Sequence, residues 1–130
     1  MSRIARSLIV AVVATVIAGI GIGAYAIRTA LVAEENLQAY LHAHWATIEF
    51  LDKTGGRWPG SWTDLQTTRP ASDFPWVAQH LTYDFGADPV EIAQQTPDSF
   101  TAIVPNQPCY GVEHRVQSLI DAVKAYHSPK

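Results

Sequence analysis

Apolar and polar positions change pattern twice along the chain. From Leu8 to Ile27, "LIVAVVATVIAGIGIGAYAI" runs about twenty residues without a charge, enough to cross the hydrocarbon core of a bilayer as a helix. After Thr29 the run becomes periodic. Leu37, Leu41, Ile48 and Leu51 recur at helical spacing, flanked by Tyr40 and Trp45, while Gln38, His42 and Glu49 fall together on the other side. This predicts an amphipathic helix to Lys53 with one broad apolar stripe. Gly55 and Gly56 close it, because glycine takes a left-handed C-cap backbone at no steric cost.

Beyond the glycines the periods shorten. In "PGSWTDLQTT", Ser61 followed three residues later by Asp64 predicts a capped short helix from Trp62 to about Thr67. A loop is expected over Arg69 to Pro75. "HLTYDFG" then alternates, with Leu81, Tyr83 and Phe85 against His80, Thr82 and Asp84, as a half-buried strand does. Asp88, Pro89 and Glu91 favour a one- or two-turn helix, although Val90 and Ile92 also alternate as in a strand. "SFTAIVP" reads as a second strand ended by Pro105. "GVEHRVQSLIDAVKAYH" sets Val112, Val116, Leu119, Ile120 and Val123 on one face of a closing helix.

The predicted fold class is α+β: an N-terminal transmembrane helix continuing into a long amphipathic helix, a small antiparallel sheet of two or three strands, and a C-terminal amphipathic helix. Its expected divisions are a basic start (1–7), a transmembrane signal anchor (8–27) and an extracytoplasmic domain (28–130). That domain comprises a stem helix (28–54), loops, short helices and strands (55–111), and the closing helix (112–127). So small a sheet needs the aromatic side chains inside to complete a core.

Charge gives the apolar block a direction. Arg3 and Arg6 precede it and Glu34 and Glu35 follow closely, so the N-terminus is expected in the cytoplasm and the bulk of the chain outside. "AYA" at Ala24 to Ala26 has the small-x-small pattern of signal cleavage, whereas the block is longer than a usual signal core and continues into strong helix formers. Retention as an anchor is the expectation, with cleavage after Ala26 the alternative. Ala11, Thr15, Gly19 and Gly23 recur every fourth residue, and Gly19 and Gly23 are the candidate membrane-helix contact.

From Thr29 onward six Lys/Arg stand against twelve Asp/Glu in a chain of 130 residues. With no basic stripe to neutralise phosphates, nucleic acid is not an expected partner. Cys109 is the single cysteine, which rules out an internal disulfide and a cysteine-based zinc site. His42 and His44 lie two apart on a helix, about 200° around the axis, and cannot chelate one ion. His44 is expected partly buried in the stripe and His42 at the surface. "GIGIG" lies inside the apolar block without the strand and helix start of a dinucleotide loop. Glu49 and Asp52 read as solvated carboxylates. No motif indicates a nucleophile, phosphate loop, metal or cofactor, and the chain reads as a non-enzyme.

"GGRWPGSW", residues 55–62, carries the most distinctive local chemistry. Its glycines, proline and serine each have a turn or cap to make, so the two tryptophans are expected to fold back on the stem, with Trp62 the more buried and Trp58 the more exposed. The alternative use of Trp58, Trp62 and Trp76 is ligand contact, since aromatic faces stack on the apolar faces of sugars.

The stem from Leu8 to Lys53 and the corner formed by Gly55, Gly56, Trp58, Pro59, Trp62, Asp64 and Leu65 together resemble the type IV pilin and type II secretion pseudopilin architecture. The resemblance covers about half the chain and rests on architecture. Those families carry a glycine before the processing site and a glutamate five residues into the mature helix, and Arg6-Ser7-Leu8-Ile9-Val10 offers neither. What it implies is a membrane-anchored, pilin-like structural protein with partners in the membrane, in the envelope or among copies of itself. The competing expectation is an envelope module that binds glycan or peptide through exposed tryptophans.

Overall fold

The computed structural model describes residues 2–107 and 109–127. It divides into two units, Met1–Val32 and Ala33–Lys130, and one helix, α1 (Arg3–Thr54), contributes to both. In the first unit this helix stands alone. Ser2 caps its start by accepting from the Ala5 amide through Oγ (3.1 Å). Thr15 and Thr29 return their hydroxyls to the carbonyls of Ala11 and Tyr25 at 2.8 and 2.9 Å, so neither hydroxyl is left without an acceptor in an apolar setting. Every large apolar side chain from Ile4 to Leu31 is 49–74% exposed. By length and composition α1 is a candidate membrane span near the N-terminus.

The second unit is α+β, as the sequence pattern predicts. After the stem come α2 (Trp62–Thr68), α3 (Phe74–His80), β1 (Leu81–Tyr83), α4 (Pro89–Ile92), β2 (Ile103–Pro105) and α5 (Val112–His127). β1 and β2 form a two-stranded antiparallel sheet with Leu81 opposite Pro105, Thr82 opposite Val104 and Tyr83 opposite Ile103. Backbone bonds from Asp84 to Ala102 (2.7 Å) and from Asn106 to His80 (2.9 Å) extend the ladder at both ends. Both strands are shorter than their alternating segments.

Helix caps explain most boundaries. Ser61 Oγ accepts from the Asp64 amide (3.4 Å), while Asp64 Oδ2 reaches back to the Gly60 amide (2.8 Å), so the return bond falls one residue earlier than in a standard capping box. Asp88 caps α4 through the Val90 amide (2.9 Å), resolving that segment as helix. α3 corrects the expected loop over Arg69 to Pro75, because the helix begins inside it, at Phe74. Asp73 accepts from the Trp76 amide (3.1 Å) and Pro75 sits in the first turn, an N-terminal signal that the neighbouring strand pattern obscured.

The buried face of α1 also differs from the predicted stripe. Asn36, Ala39, Tyr40, Ala43, His44, Ala46, Thr47, Phe50 and Leu51 are buried, whereas Leu37, Leu41 and Ile48 are only half-buried and Trp45 is exposed. Ala39, Ala43, Ala46 and Thr47 leave room on this face between its larger residues for side chains arriving from opposite it. Tyr83, for example, brings its hydroxyl to Thr47 Oγ1 at 2.6 Å. Around this face close Leu65, Phe74, Val77, Ile92, Ile103, Leu119, Ile120 and Val123, the last three from the predicted face of α5.

Gly55 (φ 70°) and Gly56 (φ 105°) end the helix in the left-handed region. At Gly56 space matters as well as conformation: a Cβ there would lie 2.5 Å from Tyr126 Cβ. The end of α5 seats on this corner, with Tyr126 Oη donating to Asp52 (2.6 Å) and the His127 ring bonded to the Gly56 carbonyl.

Candidate functional site

The tryptophans nominated from sequence separate into different environments. Trp58 is 8% exposed, donates Nε1 to the Asp84 carbonyl (2.9 Å) and packs on Tyr83 with centroids 5.6 Å apart. Its ring and its one donor are both used internally. Trp62 is half-buried among Phe74, Tyr83 and Phe85 at centroid distances of 6.1, 5.6 and 5.1 Å. The expected order of burial is therefore reversed. Trp58 leaves the glycine corner pointing at the end of β1, where Asp84 supplies an acceptor, while Trp62 in the first turn of α2 keeps one edge outside. That edge lines a shallow apolar recess with Phe74, Pro75 and Ala78. Trp76, half-buried, pairs with His80 at 4.6 Å. Among the described residues, no recess is lined by all three. Gly19 and Gly23 lie in the first unit, with nothing within 4 Å of the position a Cβ would take.

Trp45 is the tryptophan that sequence reasoning placed on the flank of the core, and it is 45% exposed. It borders a groove of about 360 Å³ with Gln38, Leu41, His42 and Arg69. Arg115 lies 5.6 Å from the Trp45 centroid in a cation–π contact and does not line the groove. The far side is Arg69, at the start of the α2–α3 loop, and that loop is tied down. Gln66 Nε2 donates to the carbonyls of Arg69, Pro70 and Ser72 at 3.4, 3.0 and 2.9 Å. The same loop is held to the stem by the bond between Ser72 Oγ and His42 Nδ1 (3.2 Å). Arg69 Nε makes a long, partly exposed contact to Glu49 (3.8 Å), and Gln38 donates to Glu34 (3.0 Å). A signal for this site existed in the sequence. Trp45 sits 200° around the helix from Ala43, the centre of the inner face, but the choice of the leucines as the buried stripe hid it.

Inside the core, His44 and Tyr40 stack with centroids 6.3 Å apart, and Trp45 meets His44 edge-on at 5.9 Å. His44 is 2% exposed, in line with the expected core histidine. Burial first, and the Arg115 guanidinium second, hold its pKa down at about 4. Among the described residues His44 Nδ1 and Tyr40 Oη find no hydrogen-bond partner. Burial raises the Tyr40 phenol well above its ordinary range, with Cys109 adding to the shift. Cys109 itself is half-buried, and burial pushes its thiol up, away from a nucleophilic thiolate. It borders a separate recess with Pro105, Asn106, Gln107 and Val112. No group of three or more His, Cys, Asp or Glu among the described residues is arranged to hold a metal ion. No protein-family model, curated protein or solved structure matches the chain.

Proposed function

We propose that this chain is a single-pass membrane-anchored protein, with its N-terminus cytoplasmic and its 33–130 unit extracytoplasmic. On this reading the outer unit is a non-enzymatic structural or interaction module that works with copies of itself or with an envelope protein. The observation that carries the reading is the all-round exposure of the apolar side chains from Ile4 to Leu31. An apolar helix with no polar face is one made for lipid. At about 1.5 kcal/mol or more per large side chain transferred out of water, the gain is on the order of 20 kcal/mol, above the 5–15 kcal/mol or so that typically holds a domain folded.

Arg3 and Arg6 ahead of the span support the orientation against the single Arg28 behind it. An unbroken helix from Arg3 to Thr54 supports an uncleaved anchor, since the glycines before Ala26 do not interrupt it. A pilin-like assembly through the stem is the narrower form of this proposal. It draws on the long helix and the Gly-rich corner, and it has to operate without the processing residues of that family.

Protease added to intact spheroplasts tests the topology. The outer unit should be digested there and protected in inside-out vesicles, whose exterior is the cytoplasmic face. Mass spectrometry of the purified chain should find the segment before Ile27 still attached. A mature chain beginning at Ile27, or protection in spheroplasts, would sink the anchor.

A further inference from the structure

We propose that the groove bounded by Trp45, Leu41, Gln38, His42 and Arg69 binds a neutral pyranose unit of an oligosaccharide. The site lies wholly in the second unit, so it stands or falls independently of the membrane reading. Its first element is the exposed indole of Trp45, which lines the groove, whereas Arg115, in contact with the same ring, does not. Pyranoses with equatorial substituents present a flat C–H face, and an indole offers the matching apolar, electron-rich plane.

Its second element is a fork of donors and acceptors around that plane. Gln38 spends one amide hydrogen on Glu34 and keeps its carbonyl oxygen. The 3.8 Å contact to Glu49 uses Nε of Arg69 and leaves the two terminal nitrogens, and His42 Nε2 makes no bond among the described residues. Vicinal hydroxyls each donate and accept, which suits a mixed set of this kind. Glu34 and Glu49 offset Arg69 and the Arg115 held at Trp45, so the site carries no excess positive charge to favour an acidic sugar over a neutral one.

Rigidity is the third element. A volume of about 360 Å³ suits one ring of a chain that continues into solvent. The three carbonyls held by Gln66, and the Ser72–His42 bond, mean the α2–α3 loop needs no ordering when ligand arrives. This moves the aromatic–sugar expectation away from Trp58, Trp62 and Trp76 to a tryptophan three and seven residues from its polar partners His42 and Gln38 on the same helix.

The test is calorimetric titration and saturation-transfer NMR on the full chain, held in a detergent without a sugar headgroup. The probes are cellotriose, the trisaccharide of N-acetylglucosamine, and tri-galacturonate. Neutral trisaccharides should bind with Kd about 1 mM, the range for a single-ring open site, and tri-galacturonate should bind no more tightly. Trp45→Ala should weaken binding about tenfold or more and Gln38→Ala several-fold, while Trp45→Phe retains part of it and Tyr110→Ser, at an exposed ring outside the groove, changes nothing. Circular dichroism checks that the Trp45 variants remain folded, and Gln38→Ala, on an exposed position, carries the test if they do not. Absence of binding to either neutral trisaccharide at about 20 mM, equal affinity in Trp45→Ala or Gln38→Ala, or preference for the acidic sugar would each overturn the proposal.

Discussion

Two buried hydroxyls show how much a single residue contributes. Thr47 Oγ1 donates to the Ala43 carbonyl at 2.7 Å, so the 2.6 Å bond to Tyr83 has the tyrosine as donor. Thr47→Val removes the acceptor and leaves the Tyr83 hydroxyl buried and unpaired, which should cost about 1–3 kcal/mol in equilibrium unfolding. Tyr83→Phe removes the donor and should cost less, because Thr47 keeps its backbone acceptor. In the double variant the penalty should fall below the sum of the two single losses. Strict additivity in that cycle would mean the pair is not coupled.

At His44 the consequence is a dependence on acid. The unfolded chain takes up a proton near pH 6.5, whereas the folded chain holds the imidazole neutral until about pH 4. Its contribution is complete above the unfolded value and is lost as pH falls between the two, by up to about 1.4 kcal/mol per pH unit. His44→Leu should flatten the stability profile between pH 6.5 and 4 relative to the parent, measured by denaturant titration at stepped pH. An unchanged slope would assign that limb to other groups.

Among the elements, the join between α1 and the chain that follows it is the most constrained. Both glycines there have positive φ, but only Gly56 is crowded, by Tyr126 and His127. Gly55→Ala should cost about 1 kcal/mol, the conformational term alone. Gly56→Ala should cost more, about 2–4 kcal/mol, because the α5 end must also move, breaking the Tyr126–Asp52 bond. Comparable losses at the two positions, read from thermal unfolding, would remove the role assigned to the α5 contact. The inner face of α1 makes a parallel case. Ala39, Ala43 and Ala46 are fully buried, so Ala43→Leu should destabilise by about 1–3 kcal/mol through overpacking. Leu37→Gln, on the half-buried flank, should cost less than that. This inverts the ranking that hydropathy alone supports, since the larger apolar residue is the less critical one.

For the molecule as a whole, the proposed anchor is the reading most open to a direct test. Val16→Arg combined with Ile20→Arg places two cations in the middle of the apolar run, each unfavourable by about 3 kcal/mol at the centre of a bilayer. The variant should leave the carbonate-resistant membrane fraction while the 33–130 unit keeps its circular dichroism. Continued resistance to carbonate would count against a transmembrane role for α1.

The apolar run, the capped starts of α2 and α4, the glycine stop after Thr54 and the face of α5 were legible in the residues alone. Each depends on side chains within one turn of one another or on a fixed period. The alternation of Leu81 with Tyr83 likewise marked β1, although its length was set by where β2 could pair with it. What one chain pattern could not decide was which of two apolar arcs on the stem faces inward. Leu37, Leu41 and Ile48 form one arc, while Tyr40, Ala43, Thr47 and Leu51 form the other. Partners distant in sequence chose the second, because Tyr83 could reach a buried hydroxyl there. The same choice turned Trp45 outward into a groove completed by Arg69, and the end of β1 gave Trp58 an acceptor at Asp84 and drew it inside. Local patterns determine elements because their forces are local; burial is decided by long-range packing, which is settled only when the surfaces meet.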